Sequence, residues 1–271
     1  MAQEDAALGF LGVVQRSTKP RTRGLTIGRD YGIGMNAADD LMETVGQFVD
    51  YIKIRHFFTM TASLQPDDLV MRKIQLYEAN DVRSFPGGIV FETAYLRGKV
   101  DETFAVLCRM GFSAIELSDN MIDLSAQEKE RYTRQAVKCG LRVLSEFGKK
   151  YAPTSFNVQE TVDECRRVLD AGATAVIVER NELDLILGPK GEPGPDASKL
   201  VELAEKLTLD RVVFEAETVP HQKWLFRTFG PDVSIGPNLA PERIPYMEAE
   251  RRGLGRESGY WFVTDIIQGR G

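Results

Sequence analysis

Four short apolar runs in this chain each end in a glutamate: FSAIE at 112–116, LRVLSE at 141–146, ATAVIVE at 173–179 and RVVFE at 211–215. Near-continuous apolar runs of this length suit parallel strands buried on both faces, and the stretches between them have the apolar spacing of helices. Parallel strands joined by helices all point the same way. Glu116, Glu146, Glu179 and Glu215 are therefore expected at the carboxyl ends of four successive strands, on one face of the sheet, as a row of polar groups suited to an active site.

The rhythm extends to the whole chain. Strands are predicted at 24–30 (GLTIGRD), 49–55 (VDYIKIR), 82–85 (VRSF), 113–119, 141–147, 173–179, 211–217 and 233–236 (VSIG). Helices are predicted after the cap Asn36, after Pro66, over about 89–110 and after the cap Ser125. Others follow in VQETVDECRRVLDAG, SKLVELAEKL, HQKWLFRTFG and around PERIPYMEAERRG. The Gly/Pro-rich loop LGPKGEPGPDA reads as a cover over a site. Eight strands alternating with eight helices predict a (β/α)8 TIM barrel over residues 23–271, preceded by an arm at 1–22 whose basic end brings Arg23 within reach of the site. No GxGxxG follows the first strand, which argues against a dinucleotide-binding sheet.

Composition narrows the function classes. A length of 271 residues with 43% hydrophobic content supports one large core. A formal net charge of −6 argues against a nucleic-acid partner or a polybasic membrane patch. No apolar run approaches the roughly 20 residues of a membrane span, and the amino terminus carries acids where a signal peptide carries bases. Cys108, Cys139 and Cys165 are odd in number and lack metal-ligand spacing, as in a reducing cytoplasm.

Converging carboxylates repel, and the usual remedy is a hard divalent cation or a nearby lysine or arginine. Lys53 near the end of strand two, and Lys149 and Lys150 after Glu146, supply the second; Mg2+ is the expectation for the first. Any one such glutamate, or a Gly-Lys-Lys turn, is as often a solvated surface feature. Gly87 and Gly88, before a helix, read either as an anion cradle or as a simple chain reversal. His56 and His221 lie just past strand ends, suited to anion binding, proton transfer or structural hydrogen bonding. No His/Cys cluster points to zinc, and no Gly-x-Ser-x-Gly elbow to a serine hydrolase.

The segments FPGGIVFETAYLRGKVDE, GFSAIELSDNMIDLS and EFGKK, all within 85–150, resemble the phosphosulfolactate synthase family, and RGLTIGRDYG, VDYIKI, AGATAVIVE, VVFEAE and RRGL follow in that family's order. The resemblance implies a (β/α)8 barrel that joins sulfite to phosphoenolpyruvate with Mg2+, on the route to coenzyme M; a homo-oligomer is also expected. The resemblance also implies Lys150 as proton donor, and the strand-end reading adds Lys53 and His221 as further catalytic groups and Glu116, Glu146, Glu179 and Glu215 as metal ligands. Arg23, Arg55, His56, Gly87, Gly88, Lys149, Arg180, Asn181 and Gln222 would bind substrate. The chain departs from the family after Lys53, where IRHFFT replaces a Gly-Trp-Gly-Thr-Ser run, and at Arg180-Asn181, where the arginine moves by one position. Two alternatives follow: a divergent barrel enzyme acting on another anionic unsaturated or enolisable acid, and a non-catalytic stress-associated relative.

Overall fold

The computed structural model describes residues 7–148, 156–188, 194 and 196–270. Eight strands form one parallel sheet: β1 (Thr26–Asp30), β2 (Tyr51–Ile54), β3 (Arg83–Pro86), β4 (Ala114–Leu117), β5 (Arg142–Phe147), β6 (Ala175–Val178), β7 (Val212–Phe214) and β8 (Ser234–Leu239). Their order is β3-β2-β1-β8-β7-β6-β5-β4, so the sheet curls until its two edges meet. The result is a nearly closed (β/α)8 barrel.

The outer ring contains α1 (Met35–Val45), α2 (His56–Thr61), α3 (Leu69–Ala79), α4 (Ile89–Leu96), α5 (Val100–Met110) and α6 (Ala126–Lys138). It continues with α7 (Val158–Asp170), α8 (Arg180–Leu187), α9 (Ser198–Leu207), α10 (Val219–Phe229), α11 (Ile244–Arg251) and α12 (Trp261–Ile267). Local chemistry fixes several ends. Ser125 and Glu128 form a reciprocal capping box at the start of α6. Asp68 accepts from the Val70 amide to open α3. The single helix expected over 89–110 is two, separated by a turn in which Gly98 takes a positive φ of 62°. Three helices, α2, α8 and α12, were not read from the pattern; each has at most eight residues, too few for a clear 3.6-residue period.

Two apolar cores follow from strand alternation. Outward residues such as Ile52, Ile115, Val143 and Val176 pack against the helices, while Leu25, Ile27, Tyr51, Phe85, Ala114, Leu144, Ala175, Ile177 and Val213 fill the barrel interior. The amino-terminal mouth is closed by charge. Arg16 pairs with Glu248 at 2.6 Å, Arg21 with Asp50 at 3.1 Å, and the buried Arg251 donates to the Val233 carbonyl at 2.6 Å. Arg23 belongs to this end too. It precedes β1 and pairs with Asp232, which precedes β8, at 3.1 Å, so it does not reach the opposite mouth as expected.

β3 and β4 lie side by side, yet no ladder joins them among the described residues. Side chains close this seam. Glu78, on α3, accepts from the Ser84 amide (2.8 Å) and hydroxyl (2.9 Å) on β3 and from the Ser113 hydroxyl (2.7 Å) just before β4.

Candidate active site

The inward-facing residues read as columns that change from apolar to polar toward the carboxyl ends: Leu25-Ile27-Arg29, Tyr51-Lys53, Ala114-Glu116, Leu144-Glu146, Ala175-Ile177-Glu179 and Val213-Glu215. The last member of each column lines one pocket of about 70 Å3, together with His56, Gly87, Gly88, Ile89, Ser118, Asn120 and Asn238. All four sequence-nominated glutamates and Lys53 are buried there.

Lys53 reaches across the β3/β4 seam to Glu116, with Nζ 2.7 Å from Oε2 and 3.0 Å from Oε1. Burial opposes the Lys53 charge, but Glu116, Glu146 and Glu215 outweigh it and hold the ammonium above its ordinary range. The same surroundings act on the acids. Burial, then the neighbouring Glu116 and Glu215, push Glu146 well above the usual carboxylate range. Burial likewise raises Glu215 to about 7, with Glu179 and Glu116 adding to it against the pull of Lys53. Near neutral pH the cluster therefore holds protons that isolated carboxylates would release.

Glu116 also accepts from the Gly88 amide at 3.2 Å, which uses the amide that the anion-cradle reading required. A Cβ on Gly88 would lie 2.2 Å from Ser118 Oγ and 2.8 Å from Glu116 Oε1, so glycine is present to let these groups close on the backbone. Asn120 donates to Glu146 Oε2 at 2.6 Å, while its own Oδ1 is buried and accepts nothing from the described residues. The loop carrying Asn120 is held by the buried Glu92 on α4, which accepts from the Ser118 hydroxyl and from the amides of Asn120 and Met121. Across the pocket, Asn238 donates to Glu215 and accepts from Arg29 at 3.1 Å.

Other expectations are redirected. His221 is buried on α10, away from the pocket lining, and its Nε2 lies 2.8 Å from the Gly188 carbonyl, tying the end of α8 to α10. Gln222 donates to the Ala216 carbonyl at 2.8 Å and shapes the turn after β7. Arg180 is half-exposed and faces Asp184 and Glu217, each at 3.5 Å. Asn181 gives its backbone amide to Glu179 at 2.5 Å, capping α8. Arg55 is exposed at the start of α2 and is not part of the lining, whereas the adjacent His56 is. Lys149 and Lys150 lie outside the described residues. Arg29, Ser118, Asn120 and Asn238 were missed. Arg29 was recoverable from the alternation Leu25-Ile27-Arg29; Asn238 was not, because β8 runs three residues beyond the predicted VSIG.

The donors in the mouth are hard oxygens, the type that Mg2+ accepts, and the unpartnered Asn120 Oδ1 is one more. Among the described residues no three His, Cys, Asp or Glu converge as a ready cage.

Fold and mouth together define a (β/α)8 barrel whose carboxyl-end mouth gathers buried carboxylates around a lysine. Residues 14–257 match the family model described as (2R)-phospho-3-sulfolactate synthase (ComA). The phosphosulfolactate synthase of Methanothermobacter thermautotrophicus is 38% identical over 243 residues, covering 88% of this chain and 92% of the relative. That of Methanocaldococcus jannaschii is 32% identical, covering 86% and 92%. The chain belongs to the phosphosulfolactate synthase family. Among solved structures, the Escherichia coli K12 YdjI aldolase shares the fold, with a TM-score of 0.55, 12% identity and 92% of each chain covered. No helix among the described residues is long and apolar enough to cross a membrane.

Proposed function

We propose that this protein joins sulfite to phosphoenolpyruvate to form 2-phospho-3-sulfolactate. The observation that carries the reading, in a chain of this family, is the buried Lys53 ammonium among Glu116, Glu146 and Glu215. In this reaction the sulfur lone pair of sulfite forms a bond to the CH2 carbon, C3. The C2=C3 pair then moves toward C2 and the carboxylate, and a proton is added at C2. The site must therefore bear growing negative charge on a carboxylate and deliver one proton.

Lys53 meets the first need, being a fixed positive charge whose partner Glu116 orients it without any reorganisation during the reaction. Lys150 meets the second by family resemblance: it follows β5 in sequence, and a lysine ammonium is a suitable general acid. Glu146 and Glu215, with Asn120 Oδ1, would hold Mg2+. When bound there, the ion supplies Lewis-acid stabilisation of the aci-carboxylate charge. Because the ion competes with the proton on Glu215, raised to about 7, and with that on Glu146, pushed well above the usual carboxylate range, its affinity should rise with pH, with proton release measurable by calorimetry in two buffers. Equal affinity at pH 6 and pH 8 would remove these acids as its ligands.

The test of function is incubation of purified protein with phosphoenolpyruvate, sulfite and Mg2+, with products followed by mass spectrometry. The expected result is a product with the mass of the sulfite adduct, lost on exhaustive chelation. Unchanged phosphoenolpyruvate after prolonged incubation would reject the reading.

A further inference from the structure

We propose that Arg29 is the residue that grips the substrate's oxyanion, and that Asn238 and Tyr31 exist to keep its guanidinium available; the identity of the substrate rests on the function proposed above, but the anion-binding role does not. The β1/β2 ladder places Arg29 directly opposite Lys53, so the two cations share the inner face of the barrel at the same level. Arg29 is the one arginine lining the pocket among the described residues.

Its surroundings are unusual for an arginine beside four carboxylates. Arg29 makes no ion pair with any described residue, and its Nε is buried without a hydrogen-bond partner among them. Among the described residues its one hydrogen bond runs from Nη1 to the neutral Oδ1 of Asn238 at 3.1 Å. The amide of the same Asn238 donates to Glu215, so a neutral group links the guanidinium to this acid of the cluster. Tyr31 holds the arrangement from outside: the guanidinium lies over its ring at 4.6 Å, and its hydroxyl donates to the Asn238 carbonyl at 3.2 Å.

An unpartnered guanidinium nitrogen in a buried mouth is costly, and a bound anion removes that cost. The planar fork matches the two oxygens of a carboxylate or phosphate, which a lysine cannot do. The ligand class is therefore a small carboxylate or phosphate, with phosphoenolpyruvate the member named by the proposed function. Arg55, Arg23 and Arg180, nominated from sequence, are all placed elsewhere.

The test is calorimetric titration of the intact protein with phosphoenolpyruvate, inorganic phosphate and sulfite separately, using wild type, Arg29→Leu, Arg29→Lys and Asn238→Ala, each checked for folding by circular dichroism. Arg29→Leu should weaken phosphoenolpyruvate roughly 10- to 100-fold, the range for a lost charge-assisted hydrogen-bond pair, with Arg29→Lys recovering only part. Asn238→Ala should also weaken it, because Arg29 is then free to pair with Glu215; this variant carries the test if Arg29→Leu does not fold. Binding of phosphate to wild type, lost in Arg29→Leu, with no turnover of phosphoenolpyruvate and sulfite, would support the anion role and count only against the proposed reaction. Binding by Arg29→Leu within twofold of wild type, or no binding of any of the three anions by wild type, overturns the proposal.

Discussion

Lys53 is the side chain on which most of the mouth's electrostatics depends. It is paired with Glu116 at 2.7 Å and faces Glu146 and Glu215, so its removal leaves three buried acids to repel one another. Lys53→Met should depress kcat by roughly 10²- to 10⁴-fold, and Lys150→Ala by a similar factor if it is the proton donor, with Lys149→Ala milder. Steady-state kinetics on folded variants checks this, and near-normal turnover by Lys150→Ala would pass the proton transfer to Lys53. At this scale the four glutamates were legible because each directly ends an apolar run, and Lys53 because it lies near the end of the second strand. His221 and Gln222 misled because position just beyond a strand says nothing about direction: both face inward on α10 and bond backbone carbonyls. Arg29 was overlooked although its column, Leu25-Ile27-Arg29, has the same form as the glutamate columns.

At the scale of elements, the seam between β3 and β4 sets how the barrel closes. Backbone ladders join the other neighbouring strands, and here two carboxylates take their place: Glu78 toward the amino end, and Glu116, through Lys53 and the Gly88 amide, toward the carboxyl end. Glu78→Ala should therefore destabilise the protein by about 2–4 kcal/mol, since it strips a charged acceptor from three donors, while leaving kcat of the folded fraction close to wild type. Chemical denaturation with parallel activity assays measures both, and a loss under 0.5 kcal/mol would show that the seam closes without it. The sequence announced the strands and the longer helices through their periods. It could not announce that two neighbouring strands would be stitched by side chains, because that depends on a contact between α3 and residues 84 and 113, six and 35 positions away. The same holds for Glu92, which positions the Asn120 loop from the preceding β-α unit.

Across the whole molecule, the barrel gathers acids at one mouth and balances buried acids with arginines at the other, so its stability depends on pH through the first. Burial raises Glu182 to about 7, with Glu179 adding to the shift. Between about pH 4.5, where the unfolded carboxyl titrates, and about 7, the native state keeps a proton that the unfolded chain has lost. Stability from this group therefore falls as pH rises through that window and stays low above it. Glu182→Gln should raise the melting temperature relative to wild type at pH 8 and leave it nearly unchanged at pH 4.5, by roughly 2–4 °C for each kcal/mol relieved. Differential scanning calorimetry at the two pH values measures this, and an equal shift at both would remove titration as the cause.

The central claim is that a carbon–sulfur bond forms at C3 of phosphoenolpyruvate while a proton from the site is added at C2. The direct measurement is the reaction run in D2O with Mg2+ and sulfite, read by mass spectrometry and NMR. A lysine ammonium exchanges its protons with solvent between turnovers, so the product should carry one deuterium at C2, next to a CH2 bearing the sulfonate. A product without deuterium at C2, a sulfonate attached at C2, or no adduct at all would contradict the account.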